Sequence, residues 1–327
     1  MKEIEFPLWF DSKESKVKFG VELELMLLDL ERKRPFNDYE TLDEIFETLP
    51  ERVYRDYYPY QLEIRTTPTT SIEKCLEETK QLYKISSKQL LKRNIMVIPI
   101  PSLIVNPQAY CGMHIHLSYP DKPNDLQNYY CKAMGMYPFA LSIADHASNF
   151  EVNVNTTSER LEKSRHISMP FLKYTDFTNP SAENRKYRDV ILSPPIAEST
   201  RQRMKKPWTL EFRMFDTPSF FSFYKFIIEM IVNIARHIKA DNPMINLIKN
   251  SFQEAYNKLF LTRELLITQR YGINKIFRMY NGNVCEEVAK FFDIEYPEET
   301  QFEYRERNGL SKDINGYVMM AIEGGWL

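Results

Sequence analysis

Glycine is scarce in this chain of 327 residues: there are nine, about 3% where soluble proteins average about 7%. Neither G-x-G-x-x-G nor G-x-x-x-x-G-K-[ST] occurs, so a nucleotide would have to be held without a glycine-rich phosphate loop. Cysteine is scarce too. Cys75, Cys111, Cys131 and Cys285 lie too far apart for a C-x-x-C redox pair or a zinc knuckle, and they read as reduced, buried thiols of a cytoplasmic protein. Neither sign of charge dominates: 43 Lys+Arg against 45 Asp+Glu leave a formal charge of -2. That balance argues against a nucleic-acid partner, whose footprint is a basic face. Long apolar runs are missing. Met1 to Phe10 has no core of signal-peptide length. The most hydrophobic stretch, Phe220 to Ile238, carries Lys225, Glu229, Asn233 and Arg236, as a buried helix does and a membrane span does not. With no internal repeat, low-complexity tract or long linker, residues 1–327 read as one domain, long enough to bury a core without disulfides or structural metal.

Helices are expected at several places. Thr70 and Glu73 form a T-x-x-E capping pattern that opens a helix to about Arg93. Asp125 to Ser148 reads as a second helix, disturbed at Pro138. A third starts after Pro218 and runs to about Ala240. Asn250 to Gln269 and Val284 to Phe292 read as further helices. Asn149 to Lys206 is polar, rich in Arg and Pro and weakly periodic; a long irregular stretch inside a domain is usually functional. The helical C-terminal part, residues 241–327, carries no motif and leaves three roles open: a dimer surface, a cover for the back of a sheet, or a cap on a site.

Four short segments share one pattern. They are Val21-Glu22-Leu23-Glu24-Leu25, Leu62-Glu63-Ile64-Arg65, Met113-His114-Ile115-His116-Leu117 and Leu210-Glu211-Phe212-Arg213-Met214. Each alternates apolar and ionisable residues with period two, and residues i and i+2 of a strand share a face. Each segment therefore has an apolar face for the helices to cover and a charged face left open. The expected fold class is α+β: an antiparallel or mixed sheet with an open polar face and helices on the other face.

One such strand alone would be ordinary solvated surface. Four together gather Glu22, Glu24, Glu63 and Glu211 with His114, His116, Arg65 and Arg213. Clustered carboxylates repel one another and desolvation adds to the cost, so they need a counter-charge. Arginines supply part of it. Divalent cations supply it better, and carboxylate oxygens are ligands that Mg²⁺ and Mn²⁺ prefer. This reading requires the four strands to be neighbours.

These residues also carry a resemblance. Gly112-Met113-His114-Ile115-His116-Leu117-Ser118 resembles the GMHxHxS strand of glutamine synthetases. Trp208 to Asp216 resembles the T-x-E-x-R-x-F-D strand of the related glutamate–cysteine ligase and carboxylate–amine ligase families. Gly20 to Glu24 is similar to their G-x-E-x-E strand, and Gln61 to Pro68 to their Q-x-E-x-x-T-x-P segment. The order along the chain is also the family's. The chain is too short for the separate N-terminal domain of glutamine synthetase, so the shorter carboxylate–amine ligase branch fits better.

The resemblance implies a glutamine synthetase catalytic-domain-like fold, ATP as cosubstrate and two or three Mg²⁺ or Mn²⁺ ions on the open sheet face. It implies that Glu24 and Glu63 hold one cation and that Glu22, His114 and Glu211 hold a second. Asp56, just upstream of Glu63, takes the place of a further family carboxylate, as Asp where the family has Glu. Arg213 matches the arginine facing the transferred phosphoryl group. His116 would line the nucleotide pocket, its alternative being a structural histidine hydrogen-bonded in the sheet. Arg165, Arg201 and Arg203 are candidate phosphate or carboxylate ligands, with solvated loop arginines as the alternative. Arg65 has no family counterpart and reads as an ion-pair partner of the neighbouring glutamates. Gly20 and Gly112, directly before two of these strands, are expected where a bare backbone lets a strand start close to its neighbour or to a ligand.

The chemistry expected is ligation. An ATP-dependent enzyme would convert a carboxylate, the γ-carboxylate of glutamate first among them, into an acyl phosphate and pass it to an amine such as cysteine. Its partners would be small molecules, with no nucleic acid and no membrane, and with homo-oligomerisation left open. Two other readings use the same residues: a phosphotransferase of guanidino-kinase type, and a catalytically inactive module that binds metal and nucleotide.

Overall fold

The structure, a computed structural model, describes residues 10, 16–56, 58–103, 106–120, 125–148, 177, 190–193, 208–241, 246, 284–310 and 314–326. In chain order the first elements are β1 (Lys18–Asp29), β2 (Arg34–Pro35), α1 (Tyr39–Phe46), β3 (Val53–Arg55), β4 (Gln61–Arg65), α2 (Ile72–Leu91), β5 (Ile95–Ile98), β6 (Ser102–Leu103), β7 (Asn106–Tyr110) and β8 (Gly112–Ser118). After them come α3 (Leu126–His146), β9 (Val190–Ser193), β10 (Thr209–Asp216), α4 (Phe221–His237), α5 (Val284–Phe291), α6 (Gln301–Arg307) and α7 (Ile314–Glu323). The fold class is α+β, as the alternation predicts.

The long strand β1 organises the sheet. The order β3-β4-β1-β8-β10-β9 makes the four patterned strands consecutive neighbours, and every pairing is antiparallel. Met26 pairs with Gln61 on one edge and with Ile98 on the other, so β5 takes over from β8 along the second half of β1. Strands β6 and β7 form a separate small ladder. Strand β9 lies inside the stretch expected to be irregular. Its Val-Ile-Leu run is buried without alternation, and so carries no period-two signal.

One face of the sheet is core. Val21, Leu23, Leu25, Leu62, Ile64, Met113, Ile115, Leu117, Leu210 and Phe212 are all buried, beneath a layer to which α2, α3 and α4 contribute. Most of α3 is buried and it runs through Pro138 to His146, so the proline removes one donor without ending the helix. Helix α2 starts one residue later than the T-x-x-E spacing predicts. Ser71 Oγ, not that of Thr70, accepts the Lys74 N–H at 3.2 Å and meets the Glu73 carboxylate at 2.8 Å. The reason lies upstream: Thr69 is still bonded to Phe19 of β1 through both backbone groups, which keeps the chain extended up to the cap.

The described C-terminal residues pack on helices α2 and α4. Helix α4 has no side-chain cap of its own. Gln301 Oε1 instead accepts the N–H groups of Ser219 and Phe220, and the Gly324 carbonyl accepts that of Phe221 at 2.7 Å, satisfying donors every helix start leaves open. Trp326 is fully buried, with its ring against Tyr83 of α2 and Phe221 and Tyr224 of α4 and its Nε1 donating to the Ser219 carbonyl at 3.0 Å. Among the described residues no helix is long and apolar enough to cross a membrane, and the stretch Phe220 to Ile238 is the buried helix α4. All four cysteines are free thiols, three of them buried and Cys131 half-buried.

Candidate active site on the open sheet face

Register brings the predicted residues together. Glu22 of β1 stands opposite Arg65 of β4 on one side and His114 of β8 on the other. Glu24 stands opposite Glu63, and His116 opposite both Gly20 of β1 and Glu211 of β10. Directly opposed residues of an antiparallel pair share a face. Glu22, Glu24, Glu63, His114, His116 and Glu211 therefore form one polar surface across the four strands β4, β1, β8 and β10. Between Phe212 and Phe215 strand β10 carries one residue more than β8. This bulge lets Arg213 follow Glu211 on the polar face while Met214 and Phe215 both go into the core. The consecutive apolar pair Met214-Phe215 was the sequence signal for it.

The contacts are short and mostly between unlike groups. His114 Nδ1 is 3.3 Å from Glu22 Oε2 and 3.7 Å from Glu211 Oε1, and its Nε2 is 3.4 Å from Glu24 Oε1. His116 Nε2 is 3.6 Å from Glu22 Oε1, and its Nδ1 is 3.0 Å from Thr209 Oγ1. Arg213 Nε is 3.4 Å from Glu211 Oε1. Arg65 is bonded to Glu63, lies 3.7 Å from Glu22 and stacks over Tyr54, which is the ion-pair role expected of it. The Gly112 N–H donates to Glu24 Oε2 at 2.7 Å, so here the strand start does approach a carboxylate through bare backbone. Gly20 is different. It lies inside β1, and a Cβ on it would make only ordinary contacts, the nearest at 3.7 Å to the Thr66 carbonyl; close approach does not require glycine there.

Electrostatics separates the carboxylates. Burial pushes Glu63 up, and the charges of Glu22 and Asp56 add to it. The Arg65 bond offsets only part, leaving its carboxyl at about 7. Burial acts upward on Glu22 as well, but the His114 hydrogen bond and the charges of His114 and His116 outweigh it and hold Glu22 well below the usual carboxylate range. Glu211 is likewise held down against its burial by His116, Arg213 and His114. His116 is raised: Glu211 and Glu22 favour its imidazolium more than burial opposes it. Asp56 lies just past the end of β3, where its charge acts on both Glu63 and Tyr60.

Donor chemistry and spacing fit a divalent cation. Glu22, His116 and Glu211 each offer one ligand atom, all within 4.8 Å of one another. His116 Nε2 is buried without a hydrogen bond. Oxygens with one imidazole nitrogen suit Mg²⁺ or Mn²⁺. Arg165, Arg201 and Arg203 lie outside the described residues, as do Asn250 to Gln269 and most of Asn149 to Lys206. Thr209 was given no role from sequence, although it stands two residues before Glu211 in the same strand pattern.

No family model matches the sequence, and comparison with curated proteins finds no match. Solved structures do match. The chain is similar to a bifunctional glutathione synthetase from Pasteurella multocida, with TM-score 0.55 and 15% identity over 94% of this chain and 51% of that one. It is also similar to the glutamate–cysteine ligase of Francisella tularensis in complex with AMP, with TM-score 0.52 and 12% identity over 96% of this chain and 88% of that one. The chain thus spans about half the length of the first. The fold is the one these two structures share, as the motifs imply.

Proposed function

We propose that the protein is an ATP-dependent carboxylate–amine ligase whose carboxylate substrate is the γ-carboxylate of glutamate and whose acceptor is cysteine or another amino compound. One observation carries this reading: four carboxylates, two imidazoles and two arginines share the open face of a sheet in a fold shared with ligases. That cluster holds no serine or cysteine nucleophile. It is built to hold phosphate charge and to position reactants, which is most of what phosphoryl transfer requires.

Glu24 and Glu63, with Asp56 beside them, would hold one Mg²⁺ or Mn²⁺, and Glu22 and Glu211 with an imidazole would hold another. When bound, the cations neutralise the ATP phosphates and screen the charge developing during transfer. Arg213, on the bulge beside Glu211, would face the transferred phosphoryl group. A carboxylate oxygen of the substrate attacks the γ-phosphorus and ADP leaves, giving an acyl phosphate. The amine then attacks the acyl carbon, phosphate leaves, and the nitrogen gives up its proton to form the amide. Arg65 holds Glu63 and Glu22 in place, and the Gly112 N–H fixes one oxygen of Glu24.

The test is product analysis. Purified protein with ATP, Mg²⁺ or Mn²⁺, glutamate and a panel of amines should release ADP and phosphate in equal amounts and form one new amide per turnover, identified by mass spectrometry. A phosphorylated product with no amide would make it a phosphotransferase. ATP binding in calorimetry with turnover at background would make it a binding module.

A further inference from the structure

Arg65 has no counterpart in the motifs that the other site residues match, and most of its donors are unused. The side chain is anchored at one end. Its Nε donates to Glu63 Oε1 and lies 3.7 Å from Glu22 Oε1, and its guanidinium carbon lies 4.5 Å from the centre of the Tyr54 ring. Tyr54 of β3 stands opposite Glu63 in register, so its ring is an outer wall on the same face. These contacts fix the position and the plane of the guanidinium. A guanidinium has five N–H groups, of which Nε carries one. The four on the two terminal nitrogens make no hydrogen bond among the described residues. The side chain is 43% exposed, so those nitrogens are open to a ligand. Together they present two parallel N–H bonds, the fork that fits the two oxygens of one carboxylate.

Position separates this arginine from Arg213. Strands β4 and β10 are three places apart in the sheet, about 14 Å at the usual strand spacing. Arg213 is tied to Glu211 on one flank, and Arg65 to Glu63 and Glu22 on the other. Each leans on carboxylates of its own side, so the two do not converge on one phosphoryl group. With Arg213 given to that group, the fork on the β4 flank is left for a second negative group of the substrate.

We propose that Arg65 is the specificity-determining residue for the acyl substrate. Its terminal nitrogens receive a second carboxylate, so the site takes dicarboxylates and discriminates against acids that carry only the carboxylate to be activated. Tyr54 is the positioning residue that holds the fork flat. The proposal rests on the reading that this face activates a carboxylate, and it names the residue that reads the rest of that substrate.

The experiment is calorimetry on the full chain with Mg²⁺ and a non-hydrolysable ATP analogue. It compares glutamate and aspartate with 4-aminobutyrate and 3-aminopropionate, which keep the distal carboxylate and lack the one beside the amino group. Wild type should bind at least one dicarboxylate about 10–100-fold more tightly than its monocarboxylate counterpart, the range for a charge-assisted pair. Arg65→Gln should abolish that preference by weakening the dicarboxylate alone. Arg65→Lys, which keeps the charge beside Glu63 but has no fork, should keep only part of it. In turnover, KM for the dicarboxylate should rise more than kcat falls. A merely structural role predicts a different pattern, with both acids of a pair weakened together. That pattern, a preference retained in Arg65→Gln, or a wild type without any preference would overturn the proposal while leaving the ligase reading standing. A preference that depends on Arg65 in a protein that forms no amide would uphold the fork and remove the ligase reading.

Discussion

The two faces of this sheet obey opposite rules although the same strands make both. On the back, Val21, Leu23, Ile64, Ile115, Leu117 and Phe212 are buried, and they stabilise by leaving water. On the front, Glu22 and Glu24 sit two residues apart along β1 and Glu63 stands directly across from Glu24, where like charges destabilise, with Glu211 beyond the two histidines of β8. Period two assigns one residue to each face in turn, so neither face can be altered by shifting a strand without destroying the other. The back is organised for stability. The front is maintained against stability, as sites that bind charged ligands commonly are. Substitutions on the back should therefore move folding and leave chemistry per folded molecule unchanged, and substitutions on the front should do the reverse.

The largest expected effect is on the back. Trp326 is fully buried between α2 and α4. Trp326→Ala leaves a large cavity and frees the Ser219 carbonyl, at a cost of about 3–5 kcal/mol, read from urea unfolding. Turnover per folded molecule should stay at the wild-type value. A variant that keeps its stability and loses turnover would place the C-terminal residues in the site and end the contrast. On the front, Glu211→Gln should reduce amide formation by about 10²-fold or more, the scale of removing one electrostatic element from a transition state. Its melting temperature without metal should fall slightly, because the charge that His116, Arg213 and His114 stabilise has gone. Cation and ATP binding equal to wild type would contradict the sheet-face site itself.

How far the sequence revealed this contrast depends on the length of each signal. The four site strands, their shared polar face and the buried helix from Phe221 were all legible, because each is several periods of a simple alternation. Their adjacency was not, since nothing local in Glu22 or Glu211 says that β8 lies between β1 and β10. Strand β9 escaped because Val190-Ile191-Leu192 is uniformly apolar. The cap at Ser71 was misplaced by one residue because Thr69 pairs with Phe19, a contact made across 50 residues of chain. The contact of His116 with Thr209 depends on which strands touch, so it follows from tertiary structure alone.

A smaller effect, in pH, sharpens the contrast on the front. Glu63 titrates at about 7 in the folded chain, above the ordinary carboxyl value of 4.5. A raised folded value means that its favourable share of stability is full below the ordinary value and is lost as pH rises through about 7. Glu22 and Glu211, held low, have the opposite sign, and their share is lost only as pH falls. His116, raised as well, acts in the same sense as Glu63 at the upper end of the window. Metal-free protein should therefore lose stability between about pH 5 and 8. A bound cation favours the charged carboxylates, so the rise in melting temperature on adding Mg²⁺ should grow over the same window. Glu63→Gln should flatten both curves. A Mg²⁺ effect independent of pH in wild type would show that Glu63 is not at the cation.

The smallest effect separates two adjacent residues at the boundary between the faces. Ser71 and Thr70 both precede α2, and the T-x-x-E spacing favours Thr70. The backbone favours Ser71, whose side chain accepts the Lys74 N–H and whose own N–H is taken by Thr69 Oγ1. Ser71→Ala should cost about 1 kcal/mol, as loss of an N-cap does. Thr70 contributes its carbonyl, to Arg236 Nη2, and a side-chain change leaves that group in place. Thr70→Ala should therefore stay within about 0.5 kcal/mol, the scatter of substitutions away from such features. Equal costs at the two positions would mean that the cap is shared. The reverse order would restore the T-x-x-E start and require the pairing of Thr69 with Phe19, which ties α2 to the first site strand, to open in solution.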